Sequence, residues 1–208
     1  MKVKIKLIAI MAIFSISAPS FAIAKTNDWI VRGRAIYVTP DVSSKVGTIG
    51  GSIAAGNDLT PEVDFTRFLS RNIAAELILA TSQHSMSVRG STLGANNGLG
   101  TVKLLPPTLL MQYHFNPEGK IRPYAGAGLN YTIFYGAKTG GVANSIKYQD
   151  NFGYAFQAGF DYMINDRFGV NFDVKRLYLK TNVLVNGTIK AKVDLDPWIF
   201  GVGLAYYF

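Results

Sequence analysis

The sequence feature that most limits the fold is a series of segments in which bulky apolar residues alternate with small or polar ones. Period-two alternation of this kind predicts β-strands that have two chemically different faces. We expect eight strands, at Trp29–Val38, Thr60–Leu69, Ile73–Thr81, Lys103–Phe115, Ile121–Phe134, Phe152–Met163, Gly169–Lys180 and Pro197–Phe208.

The connections between these segments are short and long in strict rotation. The short ones cover residues 70–72, 116–119 and 165–167, and the long ones cover residues 39–59, 82–102, 135–151 and 181–196. Transmembrane barrels of outer membranes have short periplasmic turns and longer outer loops. The rotation therefore predicts an all-β fold, namely an eight-stranded antiparallel up-and-down transmembrane β-barrel with its long loops outside.

The distribution of side chains between the two faces separates a membrane barrel from a soluble one. In the Phe152–Met163 segment the even-numbered residues are apolar and mostly aromatic, while the odd-numbered ones are small or polar up to Asp161. A soluble barrel of this size fills its interior with large apolar side chains, so the reverse arrangement predicts lipid on the outside. Beyond Lys25 there is no run of ~18 apolar residues, which excludes helical spans.

Residues 1–24 carry the features of an export signal. Met1–Lys6 is basic, Leu7–Ala18 is apolar, and residues 22–24 offer the small-residue pattern that signal peptidase requires. Cleavage after Ala24 would leave residues 25–208 as the barrel domain and would lower the formal charge from +8 to 8 − 3 = +5. This modest charge and the export signal argue against nucleic-acid binding.

Export combined with spanning strands predicts the outer membrane of a Gram-negative-type bacterium as the location. The membrane lipid is then the first expected partner. The aromatic strand that ends at Phe208 resembles the signal read by the barrel-assembly machinery, which we expect to be a partner during biogenesis. The sequence leaves the oligomeric state open.

Several motifs resemble those of the OmpW family of small outer-membrane barrels. The most specific are Leu-Pro-Pro-Thr-Leu at residues 105–109 and Arg-Pro-Tyr-Ala-Gly-Ala-Gly at residues 122–128. Further similarity lies at residues 72–77, 157–162 and 195–198, in the family's order, whereas residues 135–151 depart from the pattern. The resemblance implies an eight-stranded barrel with a narrow hydrophobic channel that passes small hydrophobic compounds.

The inward-facing residues divide into a charged half and an apolar half. The charged residues that fall near the periplasmic turns are Arg32, Arg34, Asp64, Glu76, Arg122, Asp161, Asp173 and Lys175. The apolar residues higher in the lumen include Ile36, Val38, Ile78, Leu104, Leu110, Phe134, Leu177 and Leu179. Because buried charges need partners, the lower set predicts an ion-paired plug, and we favour a structural role for it over an ion relay. The upper set predicts an apolar well, and its alternative is an interior filled by side chains.

Pro106-Pro107 lies in the membrane-level part of the fourth predicted strand. Proline cannot donate a ladder hydrogen bond and is expected only at sheet edges or bulges. Two prolines in succession therefore predict an interrupted pairing with one neighbouring strand. One interpretation is a lateral opening from the apolar well to the bilayer, and the other is a bulge that only adjusts the curvature of the barrel.

Three functions follow from these features. The favoured one is an outer-membrane channel for passive passage of small hydrophobic molecules, with lateral exit near Pro106 and Pro107. The alternative is a structural or adhesion barrel whose outer loops bind partners. A lipid-modifying enzyme is the third: His84 has serines near it in sequence but no acid, so we expect no enzymatic activity. With no cysteine and two histidines in the chain, we also expect no metal or other cofactor.

Two arginines face the lipid in this assignment. Arg67 lies just above a periplasmic turn, where its side chain can reach the headgroups. Arg176 lies nearer the middle of its strand, and a lipid-facing arginine at the bilayer midplane costs ~2–4 kcal/mol. Either a register shift turns Arg176 inward, or a protein partner or a lipid phosphate neutralises it.

Overall fold

The computed structural model describes residues 29–46, 50–92, 94–141 and 143–208. The predicted export signal at residues 1–24 lies outside the described residues. The strands are β1 (Trp29–Thr39), β2 (Ser43–Val46), β3 (Ser52–Ala55), β4 (Asp58–Phe68), β5 (Ile73–Ala80), β6 (Ser82–Ser91), β7 (Gly94–Leu105), β8 (Thr108–His114), β9 (Ile121–Thr139), β10 (Ile146–Tyr148), β11 (Asn151–Met163), β12 (Phe168–Tyr178), β13 (Lys180–Val185), β14 (Ile189–Asp194) and β15 (Trp198–Tyr207). The described part of the chain contains no helix with the length and apolar character of a membrane span.

Eight of these strands close a barrel. Their order around it is β1, β4, β5, β8, β9, β11, β12 and β15, and β15 pairs with β1 to complete the circle. Each neighbouring pair in the circle is antiparallel. Closure is what hydrocarbon requires, because lipid tails offer no partners for backbone N–H and C=O groups. The predicted eight-stranded antiparallel barrel is confirmed.

Large apolar side chains cover the outside of the barrel wall. On β11, Phe152 and Phe156 have 72% and 52% of their surface exposed, while the intervening Ala155 is completely buried. On β15, Leu204 is 62% exposed and its neighbour Ala205 is buried. An apolar exterior of this extent is stable only against lipid, since monomeric soluble proteins rarely expose large contiguous apolar surfaces. The inverted arrangement that the sequence predicted is therefore present in the structure.

The predicted long loops contain substantial β-structure above the barrel. β6 and β7 form a hairpin that pairs with β3 on one side and with the upper part of β9 on the other. β10, β13, β14 and β2 form a separate four-stranded sheet. The sequence predicted loops because these segments are rich in Gly, Ser and Asn. The overlooked signal was alternation, since buried His84, Met86 and Val88 are interleaved with more exposed Ser85 and Ser87.

The apolar core continues from the upper barrel into this outer extension. Ile36, Ile78 and Leu177 in the barrel wall belong to the same cluster as Val88 and Val183 in the extension. The interior of the upper barrel and that of the outer extension therefore form one continuous apolar core.

The fourth predicted strand is divided at its two prolines. β7 ends at Leu105 and β8 begins at Thr108. On the side of β9 the register continues across the break, and the Tyr131 amide donates to the Pro107 carbonyl oxygen at 3.1 Å. The ladder pairs of both prolines are missing on either side. Because this hydrogen bond joins the break to β9, the interruption is greater on the side of β5 and β6.

Arg176 faces outward and has a protein partner. Its Nη2 donates to Asp41 Oδ2 at 2.9 Å, and its guanidinium carbon lies 4.9 Å from the ring centroid of Trp198 and 5.6 Å from that of Tyr178. Of the two explanations that the sequence left open, the structure supports a partner and not a register shift. Aromatic faces attract cations and shield them from lipid, which reduces the cost of this position.

Candidate functional site

Inward-facing charged side chains in the lower barrel form one buried cluster, called here the lower network. Its members are Arg32, Arg34, Glu62, Asp64, Glu76, Asp161, Asp173 and Lys175, all of them buried. They project from β1, β4, β5, β11 and β12, because every second residue of a strand points to the same face. The lower network thus joins five of the eight wall strands through the lumen.

Arg32 is tied to the opposite wall of the barrel. Its Nη2 donates to Asp161 Oδ2 at 2.7 Å and its Nε donates to Asp161 Oδ1 at 3.2 Å, which is the bidentate geometry of an arginine–carboxylate pair. Its Nη1 donates to the Thr66 hydroxyl at 2.9 Å, and the Tyr207 hydroxyl donates to Asp161 Oδ2 at 2.7 Å. The lone pairs of the Asp161 carboxylate are therefore well satisfied.

Arg34 joins three carboxylates from two neighbouring strands. Its Nη1 lies 2.7 Å from Asp64 Oδ2 and 2.8 Å from Glu62 Oε1, and its Nη2 lies 3.4 Å from Glu76 Oε1. Its Nε donates to Asn171 Oδ1 at 2.6 Å. The guanidinium group thus neutralises a part of the barrel where acids outnumber bases.

Lys175 forms the upper boundary of the lower network. Its Nζ donates to Glu62 Oε1 at 2.7 Å and to Asp173 Oδ1 at 2.6 Å, while the Tyr124 hydroxyl donates to Asp173 Oδ2 at 2.9 Å. All of these groups are shielded from solvent.

The structure brings together seven of the eight charged residues that the sequence placed in the lower lumen. Arg122 lies apart from them: its Nε donates to the Gly119 carbonyl oxygen at 3.0 Å, and its guanidinium carbon lies 4.6 Å from the Tyr207 ring centroid. Glu62 was missed, although it lies two residues from Asp64 on β4 and so has the same orientation.

Uncharged polar side chains that the sequence analysis did not single out complete the lower network. Gln112 Nε2 donates to Glu76 Oε2 at 2.8 Å and lies 2.9 Å from Gln157 Oε1, and Gln157 Nε2 donates to Asp173 Oδ2 at 2.8 Å. Buried His114 donates from Nε2 to Gln112 Oε1 at 3.1 Å. Strand parity could have identified these residues, since uncharged polar residues at inward-facing positions indicate a polar lumen as charged residues do.

A cavity of about 40 Å³ lies directly above the lower network. Its lining residues are Ile36, Val38, Glu62, Ile78, Ala80, Ser82, His84, Leu104, Pro106, Thr108, Lys175, Leu177, Leu179, Pro197 and Ile199. Glu62 and Lys175 supply its charged floor, and its walls are mainly apolar. Since a water molecule needs roughly 10–15 Å³ of such space, this cavity has room for only a few water molecules.

Six of the eight residues predicted for the apolar well line this cavity. The other two, Leu110 and Phe134, do not. Leu110 is completely buried two residues nearer the periplasmic end of β8 than Thr108, and Phe134 is partly buried against the apolar core.

The wall beside the cavity contains the break between β7 and β8. Flanking ladder pairs are Ile78 with Thr108 below the break and Ser82 with Leu104 above it. Both pairs have the same register. If this register continued across the break, Pro106 would lie opposite Ala80 and Pro107 opposite Leu79. The described ladder contains neither of these pairs. Pro106 lines the cavity, and alternation turns Pro107 toward the lipid.

The rim of the cavity carries a histidine–serine pair. His84 Nε2 lies 3.0 Å from Ser82 Oγ, and His84 Nδ1 lies 2.7 Å from the Gly56 carbonyl oxygen. A nucleophilic serine site uses a third group, often a carboxylate, to orient the imidazole, and here a backbone carbonyl holds that position. Within the described part of the chain, no cluster of His, Cys, Asp and Glu could hold a metal ion.

Comparison with known proteins agrees with this architecture. The model of the OmpW family matches residues 25–208. This chain belongs to the OmpW family. It is 35% identical over 212 residues to Outer membrane protein W of Vibrio cholerae, with 97% of each chain covered, and 38% identical to the uncharacterized outer-membrane protein y4mB of Sinorhizobium fredii, covering 89% of this chain and 82% of that one.

A solved structure supports the same assignment. The crystal structure of the outer membrane protein OprG from Pseudomonas aeruginosa superposes with a TM-score of 0.81 at 31% identity, covering 88% of this chain and 97% of that one. The family resemblance found in the sequence is confirmed. This OmpW-family protein is thus a multi-pass outer-membrane β-barrel, and membrane lipid surrounds its wall.

Proposed function

We propose that this OmpW-family barrel passes small hydrophobic molecules passively from the outside into the lipid phase of the outer membrane. The observation that carries the proposal is the position of the cavity, which lies between a charged floor and an interrupted wall. Membrane barrels usually have polar interiors, and an apolar upper lumen departs from that rule.

The floor of the cavity makes straight passage unfavourable for an apolar solute. Lys175 is held by Glu62 and Asp173, and Arg34 and Asp64 lie beneath them. A solute that moved down the axis would have to separate buried ion pairs, and removal of one partner of such a pair typically costs about 3–5 kcal/mol. The lower network therefore directs an apolar solute toward the wall.

The break at the prolines is the exit in this proposal. Pro106 and Pro107 have no amide hydrogens, so opening the wall toward β5 and β6 breaks no hydrogen bond that they donate. Transfer from the cavity to lipid exchanges one apolar environment for another, and burial is worth about 0.8 kcal/mol per CH₂ in either. Sideways exit thus retains the hydrophobic free energy that entry provided.

Passage requires side chains to move. The cavity of about 40 Å³ is much smaller than an alkyl chain of about ten carbons, and close-packed interiors do not admit a ligand without rearrangement. Leu104, Leu177 and Leu179 line the space, and their rotamers are the parts that we expect to shift.

A reversible cross-link of the break tests the lateral exit. The chain contains no cysteine, so the variant Leu79→Cys/Pro107→Cys introduces a pair on the lipid face at opposite sides of the break. The readout is the rate at which radiolabelled decane enters outer-membrane vesicles that contain the protein. We expect the entry rate of this variant to fall several-fold when the disulfide forms and to return to the rate of its own reduced form after reduction.

The matched control is Leu77→Cys/Leu109→Cys, a lipid-facing pair in the intact ladder just below the break. Its oxidation should leave decane entry unchanged. A second variant, Pro106→Val/Pro107→Val, restores two backbone donors and should slow entry without a cross-link. Unchanged entry in the oxidised L79C/P107C protein and in the double valine variant would remove the lateral exit from consideration.

A structural or adhesion role is the second candidate, and the small size of the cavity favours it. In that case the outer extension built from β6, β7, β13 and β14 would bind the partner. The same measurements separate the two functions, because vesicles with and without the protein would then take up decane at equal rates.

A further inference from the structure

We propose that the outer four-stranded sheet binds the phosphate groups of lipopolysaccharide in the surrounding outer leaflet. Lys147 on β10 and Lys190 and Lys192 on β14 form the binding surface, called here the lysine face. This surface is separate from the lumen, and the proposal holds whether or not the barrel passes hydrophobic molecules.

The three lysines lie on the outward side of the sheet. Ala191 and Val193 on β14 are buried in the apolar core. Lys190 and Lys192 alternate with them along the strand and therefore point outward, and both are exposed. Leu184 on β13 is in register with Lys190 on one side and with Lys147 on the other. Directly paired residues share a face, and Lys147 therefore lies on the same side as the other two.

The lysine face continues the lipid-facing surface of the barrel wall. Leu177, Leu179 and Thr181 are all buried, so the inward parity of β12 is maintained into β13. The outward residues of the two strands therefore form one line that runs from the lipid-facing wall to Leu184. On its other side β14 pairs with β2.

The height of the sheet matches the headgroup region. From Phe168, just above a periplasmic turn, to Lys180 there are twelve residue steps, which correspond to about 30 Å along the membrane normal at ~3.3 Å per residue and a tilt of ~40°. The apolar band of such barrels is ~25 Å tall. Lys180 is thus at the outer edge of the lipid, and the lysine face lies two to four residues above it.

The lysines of this surface are available for an external anion. Lower on the same line, Arg176 pairs with Asp41 and Lys180 pairs with Asp194. No carboxylate of the described residues forms an ion pair with Lys147, Lys190 or Lys192. Three exposed ammonium groups on one face of a sheet, on β10 and β14 with β13 between them, constitute a positive surface. Anionic lipid attracts such groups with a free energy that grows with each lysine.

The chemistry of the neighbouring lipid identifies the ligand. The outer leaflet of this membrane presents glycolipid phosphates at the level of the lysine face. The lysine ammonium group binds phosphate as a compact point charge with three donors. A surface that stands beside the lipid and faces sideways meets these phosphates before it meets any soluble molecule.

Lipid A titration of the full-length mature protein in detergent micelles tests the proposal, with native mass spectrometry as the readout. We expect bisphosphorylated lipid A to bind at least about tenfold more tightly than dephosphorylated lipid A. In the variant Lys147→Gln/Lys190→Gln/Lys192→Gln this preference should fall to near one, since each surface lysine contributes separately. Heat-dependent gel mobility verifies that each variant folds.

The control variant is Lys103→Gln/Lys120→Gln/Lys138→Gln, which removes the same charge from exposed lysines outside the lysine face. It should keep the preference for phosphate. An equal loss in both variants would show a general charge effect and would overturn the site. Equally tight binding of phosphatidylglycerol would overturn lipopolysaccharide as the ligand, and a wild-type protein without phosphate preference would overturn the proposal as a whole.

Discussion

Arg32 on β1 and Asp161 on β11 form a bidentate ion pair across the lumen, although 129 residues separate them in sequence. Neither side chain has any exposed surface. The pair therefore links two wall strands that are not neighbours in the barrel, and its contribution to stability is not reduced by solvent screening.

The first prediction concerns the loss of Arg32. Arg32→Met keeps much of the side-chain volume but leaves Asp161 as an uncompensated buried charge. We expect the free energy of unfolding to fall by about 3–5 kcal/mol, measured by urea titration in phospholipid vesicles. The double variant Arg32→Met/Asp161→Asn should lose less than the sum of the two single changes, because the two residues are in contact.

The exposed pair between Arg71 and Glu118 provides the comparison. Its Nη2–Oε1 distance is 3.3 Å, but the two side chains are 75% and 76% exposed. Because solvent screens such pairs, Arg71→Met should have little effect on stability. Equal effects of Arg32→Met and Arg71→Met would mean that water reaches the lower network in the membrane.

The architecture of the barrel could be predicted from local alternation, whereas the contacts of the lower network could not. Parity within a strand indicates that Arg32 and Asp161 both point inward. That they meet depends on strand order, closure and register, which involve pairs of residues far apart in the sequence. For Glu62, strand parity gives the same inward orientation as for Asp64, but it does not give the ion pairs of Glu62 with Arg34 and Lys175.

The strands of the outer extension were not predicted because of the composition of these segments, although their alternating pattern is present in the sequence. The Gly, Ser and Asn residues of these segments are typical of loops, and they outweighed an alternation that β14 displays plainly. There Ala191 and Val193 are buried while Lys190 and Lys192 are exposed. In water such short strands are marginal alone. Here β14 pairs with β13 and β2 in the four-stranded sheet and packs on the apolar core that continues from the barrel.

The second prediction concerns the close approach of β8 and β9. A Cβ atom added to Gly128 would overlap the Leu109 carbonyl oxygen, whereas one added to Gly33 on the lipid face would meet no atom within 4 Å. Gly128→Ala should therefore lower the folded fraction after refolding into detergent, and Gly33→Ala should not. Heat-dependent gel mobility measures both. A fully folded Gly128→Ala protein would mean that these strands can separate at little cost.

The third prediction tests the position of the wall in the membrane. Val202 is 49% exposed near the middle of β15, and Tyr206 is half-buried near its periplasmic end. Arginine on the lipid face costs about 2–4 kcal/mol at the midplane and about 0–1 kcal/mol near an interface. We expect Val202→Arg to reduce the free energy of unfolding in vesicles by the larger amount and Tyr206→Arg by the smaller. Equal costs would contradict the depth assigned to these residues.

The fourth prediction separates the cavity from the rest of the apolar core. Leu177 lines the cavity and Leu110 does not, although both are almost completely buried. Truncation of a buried leucine to alanine typically costs about 2–5 kcal/mol, so both Leu177→Ala and Leu110→Ala should lower stability in vesicles. Only Leu177→Ala enlarges the space that a solute would occupy.

Decane entry into vesicles should therefore rise in the Leu177→Ala protein and stay at the wild-type rate in the Leu110→Ala protein. The comparison removes stability as an explanation, because both variants lose packing of the same kind. Leu177→Trp should have the opposite effect, since a larger side chain fills the cavity and blocks the way to Pro106. If all three variants took up decane at the wild-type rate, the cavity would be a packing defect with no part in transport.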